Sequence, residues 1–224
     1  MFASLIAACG GGDSSPDARV ITTPDARVTV DAGPQPCTND LATIPAFTLP
    51  AVYFAPGDPA MDTVNETYVA IRVEEEFPTD VIIYSIYQFG IFEAGYQTGT
   101  FPISGDEASF DTCAICGLML TQYMPGANGG NATWADEYFA TSGSATLNAM
   151  PTAVDEPVDF TTNFTTVHVD IDNAGVTTPV GDGCQTVWEG MTFAGTASAV
   201  PSAATNNPYD WNAIRAEMKR RFKK

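Results

Sequence analysis

Between residues 51 and 198, apolar and polar side chains repeat with a period of two, the spacing of strands half buried in a sheet. Ala51-Val52-Tyr53-Phe54 and the runs 67–73 and 81–87 are rich in β-branched and aromatic residues, which suit a pleated, partly covered surface. In the run 67–73, Val69, Ile71 and Val73 share one face, and Tyr68, Ala70 and Arg72 the other. The segment 165–171 alternates cleanly, which predicts Val167, Val169 and Ile171 inward and Thr166, His168 and Asp170 outward. Further strands are predicted over 99–103, 109–123, 137–140, 145–150, 161–171 and 186–198. Pro56-Gly57-Asp58-Pro59, Ser104-Gly105-Asp106, the Gly- and Asn-rich stretch 125–131, and Gly181-Asp182-Gly183 carry turn chemistry between them. No helical period is evident before residue 206. The pattern predicts an all-β domain of about eight or nine strands, folded as a single antiparallel β-sandwich of jelly-roll or Greek-key type.

The two ends of the chain follow other patterns. Leu5-Ile6-Ala7-Ala8-Cys9, followed by Gly10-Gly11-Gly12, has the form of a bacterial lipobox: a short apolar run, two small residues, then a cysteine to receive lipid. No Lys or Arg precedes Cys9, so the true start of the leader is expected upstream. Residues 10–36 are rich in Gly, Ser, Pro, Asp and Thr and repeat Pro-Asp-Ala-Arg-Val at 16–20 and 24–28. Such a segment buries too little to offset its ordering entropy. As an extended tether it would reach roughly 80 Å at ~3.1 Å per residue. The expected organisation is a leader and lipobox (1–9), a disordered tether (10–36), a β domain (37–205) and a basic amphipathic helical tail (206–224). A lipid on Cys9 would hold the chain at a membrane. Gly10, rather than Asp, after the cysteine resembles outer-membrane sorting and places the domain in the cell envelope, facing periplasm or exterior.

Charge divides the domain from the tail. Residues 37–205 hold one basic residue, Arg72, against 21 Asp and Glu, a net of −20. Residues 206–224 hold six basic and two acidic residues, a net of +4. A field of the domain's sign repels nucleic acid and anionic lipid, so neither is expected as a partner of its surface. In the tail, Asn207-Pro208-Tyr209-Asp210 reads as a helix start, and Trp211, Ile214, Met218 and Phe222 fall on one stripe with Arg215 and Lys219 beside it. Three roles fit that helix: docking on the acidic domain of its own chain, contact with lipid phosphates or an anionic partner, or a loose extension.

Four cysteines remain after Cys9: Cys37, Cys113, Cys116 and Cys184. In an oxidising compartment they imply two disulfides with three possible pairings. A long-range bridge from Cys37 would tie the end of the tether to the domain. A redox Cys-x-x-Cys needs a helix start, whereas Cys113-Ala114-Ile115-Cys116 runs into strand-like sequence. A four-cysteine zinc site needs a second close pair, which is missing. The order of a Pro/Asp-rich lipoprotein tether, one Cys, Gly95-Tyr96-Gln97-Thr98-Gly99-Thr100-Phe101, Thr112-Cys113-Ala114-Ile115-Cys116, Tyr138-Phe139-Ala140-Thr141-Ser142-Gly143 and Gly181-Asp182-Gly183-Cys184 resembles uncharacterised β-rich lipoproteins of the myxobacterial type. That resemblance covers most of the domain. It implies the compartment and a β fold, and no chemistry. The basic C-terminal extension departs from it.

Candidate chemistry is sparse, and no cofactor is expected apart from a possible calcium ion. Asp170, Asp172 and Asn173 precede Gly175 with the trace of a calcium loop, without the remaining ligand positions. His168 is the sole histidine. Gly-x-Ser-x-Gly, a P-loop and His-Glu-x-x-His are absent from the sequence. Glu93, Asp111, Asp136, Glu137 and Glu189 are acidic pairs for glycoside hydrolysis only in the sense that any acidic domain supplies them. No catalytic residue is named. The expected function is a surface binding or structural module without catalytic activity, meeting an envelope protein or glycan. The alternative is a carbohydrate-binding module or hydrolase in which Tyr123, Trp134 and Trp188 line a sugar face.

Overall fold

The computed structural model describes residues 37–39, 43–44, 52–58, 63–74, 76–125, 132–172 and 174–200. The strands among them are β1 (Thr43–Ile44), β2 (Tyr53–Ala55), β3 (Glu66–Arg72), β4 (Thr79–Tyr87), β5 (Gly99–Ile103), β6 (Ile115–Tyr123), β7 (Glu137–Ala149), β8 (Pro157–Ile171), β9 (Thr177–Pro179), β10 (Gln185–Thr196) and β11 (Ser198–Ala199). Helix among the described residues is limited to two 3-10 turns, Gly90–Phe92 and Gly105–Ala108. None is long and apolar enough to cross a membrane.

All eleven strands belong to one sheet, in the order β1-β10-β8-β7-β6-β4-β3-β2-β11, with β5 added to β7 and β9 to β8. β10 and β11 are one run of chain that changes partner at Ala197. Thr196 pairs with Pro157 of β8, and Ser198 pairs with Tyr53 of β2. The two ends of the sheet therefore meet and the sheet closes. Grouping β1 with β2, which both lie alongside the β10–β11 run, leaves seven positions along the path: β1 with β2, β3, β4, β6, β7, β8 and β10–β11. In an up-and-down path with an odd number of runs, the first and last point the same way, so the closing pairs must be parallel. Both are: Thr43 and Ile44 lie beside Val187 and Trp188, and β2 lies beside β11, while every other pair is antiparallel.

The closed sheet is filled by side chains. Tyr84 of β4 meets Trp188 and Phe193 of β10 edge-on at 4.9 and 4.7 Å between ring centroids, and Phe164 of β8 at 5.7 Å. Two walls of one sheet thus pack face to face, as the layers of a sandwich do. The β prediction holds. The Greek-key or jelly-roll crossovers do not, because successive runs are neighbours and only β5 and β9 leave the path. The sheet is also mixed rather than wholly antiparallel, for the reason of parity just given.

Bulges carry the interior face through changes of phase. In β7 the interior residues are Tyr138 and Ala140, then Ala145 and Leu147, with a register shift between Ala140 and Ser142. In β10 they are Trp188, then Met191 and Phe193, with a shift between Trp188 and Met191. Each bulge moves the apolar set from even to odd positions without turning it outward. At the β7 bulge Gly143 has φ +122°, and a Cβ there would lie 2.0 Å from the Asn163 carbonyl oxygen.

A second apolar cluster covers the outer face of the same sheet. It holds Tyr68 of β3, Val81 and Ile83 of β4, Cys116, Leu118 and Leu120 of β6, Phe139 of β7 and Val169 of β8, joined by Phe77, Phe110, Trp134 and Val200. β4 and β6 are therefore buried on both sides. The alternation of 165–171 is observed with its faces exchanged. Val167, Val169 and Ile171 belong to the outer cluster, whereas buried Phe160, Thr162, Phe164 and Thr166 put the His168 side on the interior.

Candidate functional site

Residues 37–39 are fastened to one end of the closed sheet. Cys37 is bonded to Cys184, just before β10. The Thr38 hydroxyl donates to Oδ2 of Asp136 at 2.7 Å, and Thr121 donates its own hydroxyl to Thr38 at 2.9 Å. The Asn39 amide donates to the Gln185 carbonyl and to the Thr186 hydroxyl, at 3.1 and 2.9 Å. Three consecutive residues thus reach β6, the approach to β7, and β10.

His168 stands behind this attachment. It pairs with Tyr138 across the β7–β8 ladder, and the two rings stack at 5.3 Å with 22° between their planes. Its Nδ1 lies 2.5 Å from Oδ2 of Asp182, and its Nε2 lies 3.5 Å from Oδ1 of Asp136. Each carboxylate also serves one end of the disulfide. Asp136 accepts from Thr38, next to Cys37, and Oδ1 of Asp182 accepts the Cys184 N–H at 2.8 Å. The imidazole therefore bridges the two acids that position the crosslink. A protonated ring donates from both nitrogens, a neutral one from a single nitrogen. The hydrogen bond from His168 holds the Asp182 carboxyl below the usual carboxylate range, assisted by the Cys184 N–H. Burial pushes the Tyr138 phenol up, against the opposing contact with Thr38.

Beside His168 lies an open concavity of about 320 Å³, lined by Trp134, Asp136, Glu137, His168, Asp170 and their neighbours. Trp134 donates its indole N–H to Oε1 of Glu137 at 2.9 Å. Among the five acids considered for glycoside hydrolysis, Asp136 and Glu137 line this hollow. Glu93 ends a 3-10 turn, Asp111 accepts from the Ser109 hydroxyl, and Glu189 sits in the β10 bulge. The Thr38 and Thr121 hydroxyls are engaged with each other and with Asp136.

The aromatic face required by the carbohydrate reading is not formed. Trp188 lies in the interior and Tyr123 in the outer cluster, at 0 % and 1 % exposure, and only Trp134 is partly open. Two of the three calcium candidates, Asp170 and Asp172, are among the described residues. Asp170 is exposed on β8 opposite Thr178, and Oδ1 of Asp172 accepts the N–H groups of Ala174 and Val176 at 2.8 and 2.9 Å. Its carboxylate thereby closes the β8–β9 turn. Asn173 lies outside the described residues. No group of three His, Cys, Asp or Glu side chains among the described residues is placed to hold a metal ion.

The other cysteines form the second disulfide, Cys113–Cys116, at the start of β6. Cys9 and the tail residues Trp211, Ile214, Arg215, Met218, Lys219 and Phe222 lie outside the described residues. The sequence reading missed Asp182, Thr38 and Tyr138. Asp182 carried a signal, an acid in a Gly-Asp-Gly turn two residues before a cysteine. Comparison with family models, with curated proteins and with solved structures finds no match.

Proposed function

We propose that this chain is a lipid-anchored, extracytoplasmic presentation module. Cys9 carries the lipid, residues 10–36 are the spacer, and the closed sheet acts by contact with an envelope partner rather than by catalysis. The observation that carries the reading is the fastening of residues 37–39. The proposed spacer enters the domain at Cys37. There a disulfide and a bridged pair of carboxylates spread any pull over β6, β7 and β10. Such reinforcement suits a domain held by one end. The sole histidine is occupied in that structural role, and two disulfides suit an oxidising compartment. The resemblance to myxobacterial-type lipoproteins points the same way.

The test is made in the native host, with the complete leader. Wild type is expected to incorporate labelled fatty acid and to sediment with membranes, and Cys9→Ser to lose both properties while keeping its disulfides. A Cys9→Ser chain that stays membrane-bound would remove the anchor from the account.

A further inference from the structure

The two disulfides differ in exposure, and we infer that Cys37–Cys184 is a thiol-sensitive release for residues 37–39, whereas Cys113–Cys116 is inert under the same conditions. The inference rests on the fastening and is independent of the lipid anchor. Three observations carry it.

The first is access. Cys37 is exposed, whereas Cys184, Cys113 and Cys116 are 4 %, 3 % and 4 % exposed. Exchange begins when a thiolate reaches a disulfide sulfur, so its rate follows which sulfur can be reached. Cys37 offers solvent one end of its bridge. Both ends of Cys113–Cys116 lie in the outer cluster with Leu118 and Phe139, where Phe110 packs edge-on against Phe139 at 6.0 Å. The separation of 147 residues makes the long bridge valuable to the fold, but it does not shield the bond.

The second is what holds each end once the bond opens. Cys184 has backbone anchors of its own. Its N–H donates to Oδ1 of Asp182 at 2.8 Å, and its carbonyl accepts the His168 backbone N–H at 3.0 Å. Residues 37–39 belong to no strand. Thr38 and Asn39, both half-buried, reach Asp136, Gln185 and Thr186 through their side chains, in hydrogen bonds that water can replace. Opening the bond therefore frees the Cys37 side and leaves Cys184 in place.

The third is the contrast with the short bridge. Between its cysteines, the N–H groups of Ala114 and Ile115 donate to Oε2 of Glu107 at 2.9 and 2.7 Å, and the Cys113 N–H donates to the Ser109 carbonyl at 3.0 Å. That turn keeps its shape through the backbone, so reduction there releases nothing.

The co-reactant is a dithiol. One of its thiolates attacks Sγ of Cys37 in line with the bridge and forms a mixed disulfide. The Cys37–Cys184 bond breaks, and its electron pair leaves on Sγ of Cys184, which takes a proton from water. The second thiolate of the dithiol then attacks the dithiol sulfur of the mixed disulfide, and Cys37 leaves as a thiolate and is protonated. Two protein thiols are formed, and the dithiol is oxidised to its disulfide.

The experiment uses the full chain under native conditions. Dithiothreitol is added, samples are alkylated at intervals, and peptide mass spectrometry follows each cysteine. Hydrogen exchange is read on the same samples, and a parallel reaction with reduced glutathione shows which sulfur is attacked. Cys37 and Cys184 are expected to be alkylated at least about tenfold faster than Cys113 and Cys116. Glutathione is expected on Cys37. Exchange at the Thr38 and Asn39 amides should rise several-fold while β7 and β8 stay protected. Equal rates for the two bridges, or faster reduction of Cys113–Cys116, would overturn the inference. So would glutathione on Cys184, unchanged exchange at residues 38 and 39, or a loss of protection that spreads through β7 and β8.

Discussion

Cys37 is bonded to Cys184, 147 residues further along the chain, where residues 37–39 are pinned to the end of the sheet. The second bridge, Cys113–Cys116, spans a separation of 3. In the chain-entropy view a disulfide acts by restricting the unfolded chain, and more so for a long loop. Replacing Cys37 and Cys184 by Ser should cost about 5 kcal/mol, and replacing Cys113 and Cys116 about 2 kcal/mol. Denaturant midpoints of the two double variants check the ranking. Equal losses would mean that the unfolded chain already holds residues 37 and 184 together.

His168 links Asp136 to Asp182, and a glutamine there cannot serve both. His168→Gln is expected to lower stability by about 1–2 kcal/mol, the worth of a hydrogen bond to a carboxylate at a partly open site. Asp182→Asn isolates the acid. Its folded carboxyl lies below the usual range, so its stabilisation is full above the unfolded value of about 3.9 and is lost as pH falls through the folded value. The stability gap between wild type and Asp182→Asn should therefore close on acidification below about pH 3.9. A gap that stays constant to pH 2 would show that the carboxylate charge is not what matters.

Glu107 runs the other way. It is buried, and burial raises its carboxyl above the ordinary value in spite of the N–H groups of Ala114 and Ile115, which both donate to Oε2 at 2.9 and 2.7 Å. With a raised folded value, its contribution to stability is full below the unfolded value, about 4.3, and is lost as pH rises through the folded one. Glu107→Gln keeps an oxygen for both donors and removes the charge. It should match or exceed wild-type stability at pH 7, with the difference vanishing below about pH 4.3. A glutamine variant less stable than wild type at pH 7 would show that the ionised form is the better acceptor there.

Gly117 of β6 faces Phe164 and Trp188 across the interior. A Cβ on it would come within 2.6 Å of Phe164 Cδ2 and 3.0 Å of Trp188 Cζ3. Both rings are fully buried, so neither has room to yield. Gly117→Ala should cost about 1–3 kcal/mol by overpacking, although alanine suits a strand better than glycine does. Thermal unfolding decides between a fall and a rise in midpoint.

Much of the strand pattern was legible because period-two alternation survives wherever a face is buried. Predicted 99–103 coincides with β5, and 67–73 and 81–87 lie within a residue or two of β3 and β4. The bulges were not legible. The phase change at Ala140/Ser142 made one strand, β7, read as two, and the apolar stretch 109–123 hid the turn that precedes β6. β1 and β9 are too short to show a period, and the parallel closure depends on partners more than 140 residues apart. Alternation in 165–171 places His168 outside only if Val167, Val169 and Ile171 mark a single core. The sheet has two apolar faces, so alternation alone could not say which of them was the interior. The fastening at residues 37–39 brings together five separate stretches of chain, and only its cysteines announced themselves in sequence.

On the proposed function, the domain hangs by a lipid on Cys9 and is stapled by Cys37–Cys184 where the spacer enters. Intact mass of the protein isolated from its own membranes, before and after reduction, tests both halves at once. The expected mass is that of a chain beginning at Cys9, carrying acyl groups, and gaining four hydrogens when Cys37–Cys184 and Cys113–Cys116 are reduced. An unacylated chain that retains the residues before Cys9 and gains nothing on reduction would contradict it.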